Sequence, residues 1–514
     1  MGWNSMAGAL LISLGLVAWA GAQTRSGDAA LKPVDDPTLT AAVHELSGQV
    51  AELRATVAEL RDATMRDREE IARLRQQLQS ALPVIPQDAG LKPATAAPPT
   101  TKQSSNDHRI QRLEDAYDLL SGKVNDQYQT KVESGSKYRV RLSGIMLFNL
   151  FSNNGTVDSA DVPFIATPAL NGDVRGSFGG TVRQSQVRFE VFGPKVAGAR
   201  THGDMTMDFA GGFPGTENGA ALGLARLRTA TLHFDWANSS LVAGQDAPFF
   251  SPLSPTSLAT LAQPSLSYAG NLWTWIPQVR LTHRIATGEA SHLSVEGGLL
   301  DPLSGEVPPL EFDRVPQAGE GSRQPAVATR IGWSSSQSDR AASFGVGGFY
   351  SRQNWRFDRN VDAWITSADW SVPLGTPFTL SGEFYRGRGT GGLGGGIGRS
   401  VLFFGPEAQP SSAVRGLDSV GGWTQVKYQF NPRLEFNVAL GQDNPFAGEF
   451  RQAAIGTNIL DREAVRNRSA VINFIYRPKS NLLLSSEYRR INTYRVDSSS
   501  RSADHLDLAI GVLF

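Results

Sequence analysis

From Lys137 to the C-terminus the chain alternates apolar and polar residues in short runs, and it ends inside one of them. In the final DHLDLAIGVLF, Leu506, Leu508, Ile510, Val512 and Phe514 share one parity, while His505, Asp507, Ala509, Gly511 and Leu513 share the other. Period two is the mark of a strand with one apolar face. A soluble sheet would rarely stop mid-strand on an exposed Phe, whereas a barrel closing inside a bilayer keeps its last strand facing hydrocarbon to the end. On this segment alone, an ordinary edge strand stays open.

The connections narrow the choice. About sixteen alternating runs are separated by short turns at 237–239, 286–290, 335–341, 373–377, 431–433 and 478–481, and by long segments at 152–177, 250–275, 301–324, 389–418 and 443–467. Short and long links alternate along the chain, which puts the turns on one rim and the loops on the other. The expected fold is therefore all-β, a 16-stranded antiparallel transmembrane β-barrel over residues 137–514. An even strand number returns both barrel ends to the short-turn rim, the periplasmic one in this architecture. The mean hydropathy of −0.23 does not contradict this, because alternating faces cancel in any hydropathy window.

The N-terminal third reads differently. Residues 1–22 resemble a secretory signal, with the apolar AGALLISLGLVAWA followed by Ala20-Gly21-Ala22, although the leading MGWNSM carries no Lys or Arg and an uncleaved anchor is the alternative. Within 39–81 the apolar positions Val43, Leu46, Val50, Leu53, Val57 and Leu60 step by heptads and continue through Thr64, Asp67, Ile71, Leu74 and Leu78. That is an N-terminal α-helical coiled-coil seam, with β-branched a positions and Leu at d leaning towards two strands. Residues 82–104 form a Pro/Ala/Thr-rich linker, and 105–130 a second short coiled-coil helix built on Ile110, Leu113, Tyr117, Leu120 and Val124. No later segment offers about 18 consecutive apolar residues, so a helical membrane protein is excluded.

Parity also sorts side chains. Val187, Phe189, Val191, Val279, Leu281, Ile285, Phe378, Phe384, Phe436, Val438 and Leu440 are expected to face lipid. Opposite parity gives a polar lumen containing Arg139, Arg141, Arg188, Arg280, Arg284, Arg330, Lys427 and Arg489, with Glu190, Asp204, Asp208, Glu296, Glu383, Glu435, Glu487 and Asp507. Of these, Arg139, Arg141, Arg188, Arg280, Arg284, Arg330, Arg489, Glu296, Glu383 and Asp507 are the candidate pore-lining residues. The arginines crowd into the first half and several carboxylates into the second, which suggests opposed walls and a transverse field. Between 137 and 514 Arg outnumbers Lys by 31 to 4, and a guanidinium fork suits carboxylate or phosphate. The other reading is that these arginines only pair with neighbouring carboxylates and hold the wall. At the end of the chain, His505 and Asp507 are expected to face Arg139 and Arg141 across the closing seam.

One loop departs from the rest. APFFSPLSPTSLATLAQPSLSYAGNLW, residues 247–273, has no charged side chain, so it is expected to fold into the lumen or onto a neighbouring subunit. Catalytic signals are weak: Gly387–Gly392 fits GxGxxG without a following helix, and Ser134–Lys137 fits S-x-x-K at a domain junction. The scattered His202, His233, His283, His292 and His505 leave only a barrel hydrolase as an enzymatic reading, and none is expected. No Cys is present and the formal net charge is zero, so disulfides, thiolate chemistry and nucleic-acid binding are not expected; neither is a metal site or cofactor.

The heptads GQVAELRATVAELRD, the Pro-rich spacer, the strand QSQVRFEVFGP (184–194), the segment ARLRTATLHFDWANSSLVAGQ and the terminal Phe together resemble the DcaP-like trimeric outer-membrane porins of Gram-negative bacteria. The resemblance covers the whole chain in architecture and is specific in motif between about Gln184 and Phe250. It implies a 16-stranded barrel that forms homotrimers in outer-membrane lipid, a periplasmic coiled coil, and passive diffusion of small anionic solutes such as dicarboxylates. By strand position it implies that Arg188, Arg280 and Arg284 are the basic pore residues. A coiled coil that contacts the cell wall, anchored by a largely closed barrel, is the second role the sequence allows.

Overall fold

The computed structural model describes residues 139–169, 172, 174–213, 223–306, 314–336, 341–453 and 464–514. The signal sequence, both heptad segments, the linker and the S-x-x-K match lie outside the described residues. The barrel strands are β1 (Arg139–Asn154), β2 in two pieces (Gly176–Thr181 and Gln186–Val196), β3 (Ala199–Asp208), β4 (Arg226–Asp235), β5 (Ser239–Asp246), β6 (Ile276–Gly288), β7 (Ser291–Leu300) and β8 (Ala326–Ser335). They continue as β9 (Ala342–Asn354), β10 (Asn360–Pro373), β11 (Phe378–Arg388), β12 (Asp418–Asn431), β13 (Leu434–Pro445), β14 (Ala464–Lys479), β15 (Leu482–Arg495) and β16 (Ser500–Leu513). Each pairs antiparallel with its neighbour in sequence, and β1 pairs with β16, so the sheet closes with sixteen strands. Closure leaves no unpaired edge.

Both pieces of β2 pair with β1, one from Asn149↔Thr181 to Asn154↔Gly176 and the other from Arg139↔Phe192 to Ile145↔Gln186. In the gap between them a side chain stands in for the ladder. Leu147 N donates to Ser185 Oγ at 2.9 Å, and Ser185 Oγ donates to Leu147 O at 3.2 Å.

The closing seam runs from Ile145↔Leu513 to Asn154↔Asp504, and Gly144 and Phe514 exchange backbone hydrogen bonds of 2.9 and 3.2 Å at its lower end. The antiparallel register therefore sets Asp507 opposite Phe151 and His505 opposite Asn153. The expectation that they face Arg139 and Arg141 is overturned. Those arginines lie below the level where the chain ends, and pair with Phe192 and Glu190 of β2 instead.

The outer surface carries the predicted apolar parity. Val191, Val279, Leu281, Ile285, Phe384, Val438, Leu440, Ile472, Leu506, Leu508, Ile510 and Val512 are all exposed. Near the short-turn rim Phe378 stacks on Tyr428 at 4.8 Å, and Tyr428, Phe436 and Phe474 continue the row across β12, β13 and β14. Such a girdle of aromatic rings marks the boundary of an apolar belt.

The turns of one rim are short. Four of them hold two residues; the one that joins β2 to β3 has Ala197 and Gly198 both at positive φ (49° and 79°), which matches the twist of a two-residue hairpin. The strict alternation of short and long links needs correction on the other rim, where residues 355–359 and 496–499 are short as well. Arg356, Phe357 and Asp358 reverse the chain by adopting left-handed φ of 58°, 50° and 55°. Arg359 then ties that turn to a neighbouring loop through Ser412 O at 3.1 Å. Two short helices, α1 (Ala318–Gly321) and α2 (Ala447–Gln452), sit in long loops. Among the described residues, no helix is long and apolar enough to cross a membrane.

Candidate pore and its inserted loop

The uncharged segment 247–275 enters the barrel, and its backbone is fastened to the inner wall by side chains of distant strands. Ser367 Oγ (β10) donates to Phe250 O at 2.5 Å; Glu383 (β11) accepts from Ser251 Oγ and Leu253 N, both at 2.7 Å; and Gln425 (β12) accepts from Thr256 N at 2.7 Å. Further along, Asn473 (β14) donates to Thr256 O at 2.9 Å, Glu487 (β15) accepts from Ser257 Oγ at 2.5 Å, and Asn149 (β1) donates to Leu258 O at 3.1 Å. Gln184 and Gln186 hold Ala259 O and Leu261 O, and Arg226 and Arg228 of β4 reach Ala262 O and Leu261 O at 2.6 Å each. The loop then turns back: Arg489 donates to Ser265 Oγ at 3.2 Å and Asn467 to Tyr268 O at 2.9 Å.

Packing explains why this segment can lie there. Leu258 joins Ile145, Leu147, Ile475, Leu483 and Ala509, and Leu266 with Ala269 joins Trp423, Ala439 and Val471. On the return path the backbones nearly touch. A Cβ on Gly270 (φ +96°) would fall 2.2 Å from Gly422 O, and one on Gly441 would fall 2.3 Å from Ala269 O. Only glycine fits at either position.

The loop's hydrogen-bonded anchors run along the inner wall from β10 round to β4, and along β6 to β9 its Phe249, Phe250 and Leu272 pack against Ile276, Leu300, Ala326, Ala328 and Phe349 while a space remains beside β4 to β9. There a cavity of about 480 Å³ is lined by Arg280, Thr282 and Arg284 of β6, Glu296 and His292 of β7, Arg330 of β8, and His233 and Asp235 of β4, with Phe249 and Pro252 of the loop on its other side. Arg280 reaches Asp246 at 3.1 Å, while its Nε is buried without a partner. Arg330 is clamped between Glu296 (3.0 Å) and Asp369 (2.7 and 3.0 Å). Arg284 faces the cavity and makes no ion pair among the described residues. One fully committed, one half-committed and one uncommitted guanidinium thus share a wall, which is suited to holding an anionic oxygen.

The candidate pore-lining residues separate into three groups. Arg280, Arg284, Arg330 and Glu296 meet at the cavity. Arg139, Arg141 and Arg188 sit apart on the inner face near the short-turn rim, where Arg141 and Arg188 bind Glu190 at 3.2 and 3.4 Å and Arg139 lies 6.0 Å from the Phe192 ring. Glu383, Arg489 and Asp507 are inward-facing but at most 3% exposed, sealed under the inserted loop. Glu435 and Glu487 are buried as well. The expected acidic wall is therefore corrected: Glu383, Glu435, Glu487 and Asp507 are buried, and the carboxylates that meet the cavity arginines are Glu296 and Asp369 at Arg330 and Asp246 at Arg280.

Parity reading had not singled out Asp369, Asp246 and Asp235. Asp369 was legible in WITSADWSVP, where Trp364, Ala368 and Trp370 take the other face. The asparagines Asn149, Asn437, Asn467 and Asn473 were also missed, although all are buried and hydrogen-bonded on the inner side. Of the histidines, His283 lies beside Ser239 at 2.9 Å, off the cavity, and His292 lies 3.0 Å from Ser334 Oγ.

No family model matches the chain, and no curated protein matches it. Among solved structures it is similar to the outer membrane channel DcaP of Acinetobacter baumannii, with a TM-score of 0.55 and 18% identity over 74% of this chain and 99% of that one. It is also similar to an anion-selective porin from Comamonas acidovorans (TM-score 0.46, 11% identity, 74% and 100% covered). A third is OprB of Pseudomonas putida (TM-score 0.44, 10% identity, 77% and 97% covered). The first of these shares the barrel fold with this chain.

Proposed function

We propose that this chain is a passive diffusion channel of a Gram-negative outer membrane, assembled as a homotrimer, which admits small hydrophilic solutes with a modest preference for anions such as dicarboxylates. The observation that carries the reading is the polar cavity beside the inserted loop, set in a closed barrel whose outer face is apolar. The loop folded inward narrows the lumen, and Arg280, Arg284, Arg330 and Glu296 line the cavity beside it. Likeness of fold to DcaP and the sequence resemblance to DcaP-like porins support the same reading.

In this mechanism no bond is made or broken. A carboxylate entering the narrow zone exchanges part of its hydration for Arg284 and the exposed part of the Arg280 guanidinium, then leaves because no fixed cage surrounds it. Glu296 and Asp235 on the same wall keep the preference modest. Liposome swelling tests the function: vesicles carrying the full chain should swell in isotonic arabinose or succinate and remain unswollen in a large oligosaccharide. If no small solute enters, the channel reading fails.

One observation favours a second role. The inserted loop covers much of the inner wall, and so the barrel could instead act mainly as an anchor for the coiled-coil segments 39–81 and 105–130 at the cell wall. That role requires absent swelling together with an envelope defect when 39–130 is deleted.

A further inference from the structure

Near the short-turn rim, β3 and β4 bring two histidines into direct cross-strand register, His202↔His233, with Asp204 one inward position along β3. The channel reading gives the group as a whole no role, although His233 also lines the cavity. The imidazoles stack at 4.2 Å and 7° from parallel, so both rings stand side by side on the lumen wall. His233 Nε2 lies 3.0 Å from Asp204 Oδ2 and 2.9 Å from Thr231 Oγ1, and His202 Nδ1 lies 3.4 Å from Asp235 Oδ2. One ligand atom from each of His202, Asp204 and His233 falls within 4.8 Å of the others.

We propose that His202, Asp204 and His233 form a coordination site for a borderline divalent transition-metal ion of the Zn²⁺ class. The chemistry of the donors argues for that class. Two imidazoles and one carboxylate are the ligand set of many zinc sites, with bonds of about 2.0–2.2 Å that place ligand atoms a little over 3 Å apart. The His233–Asp204 separation already has that spacing, and small rotations of the two rings close the rest. Asp235, on the far nitrogen of His202, stands where an outer carboxylate fixes the tautomer and orientation of a ligating histidine. All four side chains are between about one-tenth and one-third exposed, so an ion can enter from the lumen.

Nearby positive charge does not close the site. Arg188 approaches Asp204 only at Oδ1, 3.6 Å away, and leaves Oδ2 facing His233. Glu190 takes most of the local arginine charge, from Arg141 at 3.2 Å and Arg188 at 3.4 Å. The alternative is a hydrogen-bonded His pair that only stiffens the wall, and it binds no metal. Hard cations such as Mg²⁺ and Ca²⁺ prefer all-oxygen sites and are excluded by the imidazoles.

Titration calorimetry on the untagged full chain in detergent tests this with ZnCl₂ alone. The expected result is one Zn²⁺ per chain beyond what the His202→Gln/His233→Gln double variant binds, with Cu²⁺ competing more tightly and millimolar Mg²⁺ failing to compete. Asp235→Asn should weaken binding by about 10- to 100-fold, and His283→Gln, a histidine apart from the cluster, should bind as the wild type does. Barrel circular dichroism checks that each variant is folded. Equal Zn²⁺ binding by wild type and folded double variant, or displacement by Mg²⁺, overturns the proposal. Because binding is read directly, the result stands whether or not the barrel conducts.

Discussion

Arg284 and Arg280 share one strand and one face, yet their partners differ, and the difference sets what each contributes. Arg280 spends half its fork on Asp246, while Arg284 keeps its full charge for the lumen. Replacing both with Gln removes two positive charges and leaves Asp246 and Glu296 in place. The reversal potential in a salt gradient should then move towards cations, and Glu296→Gln alone should move it the opposite way. An unchanged potential in both variants would remove these residues from the selective zone. Gly270 is decisive for a different reason: its φ of +96° and its 2.2 Å approach to Gly422 O admit no side chain. Gly270→Val should cost about 1–3 kcal/mol in backbone strain alone, before the clash is counted, and lift the return limb of the loop. Faster protease cleavage within 247–275 of the folded barrel measures it.

For single elements, the strands were legible in the sequence and the loop's destination was not. Period two is a local signal, so Phe436, Val438 and Leu440 could be assigned to the outer face from a few residues of β13 alone. The inserted loop is held by Ser251–Glu383 and Ser257–Glu487, pairs separated by 132 and 230 residues. Nothing near the loop encodes those partners; only its lack of charge hinted that it leaves solvent. The same distance explains the misread acidic wall, since parity places Glu383 and Glu487 inward without saying what covers them. Two outcomes follow for these elements. Glu383→Ala with Glu487→Ala strips the anchors of the outbound limb, each buried group left unpaired costing about 1–3 kcal/mol, and should enlarge single-channel conductance as the loop detaches. On the closing strand, Leu508→Arg puts a charge on the exposed apolar face and should cost about 2–4 kcal/mol in reversible unfolding from lipid vesicles, whereas Asp507→Asn on the inner face should cost less.

For the whole molecule, closure, an apolar exterior and a partly filled lumen act together. Sixteen strands enclose more width than inward side chains alone can fill, and so a long loop must enter the barrel to create a narrow zone. The wall along β4 to β9 then carries the charged groups beside the cavity, whereas Glu383, Glu435 and Glu487 of the second half are buried. Single-channel recording in planar bilayers tests this account most directly. The full chain, with its barrel fold verified by circular dichroism, should insert in discrete current steps and show a reversal potential displaced modestly towards anions. A folded protein that inserts and never opens an ion-conducting step would contradict it.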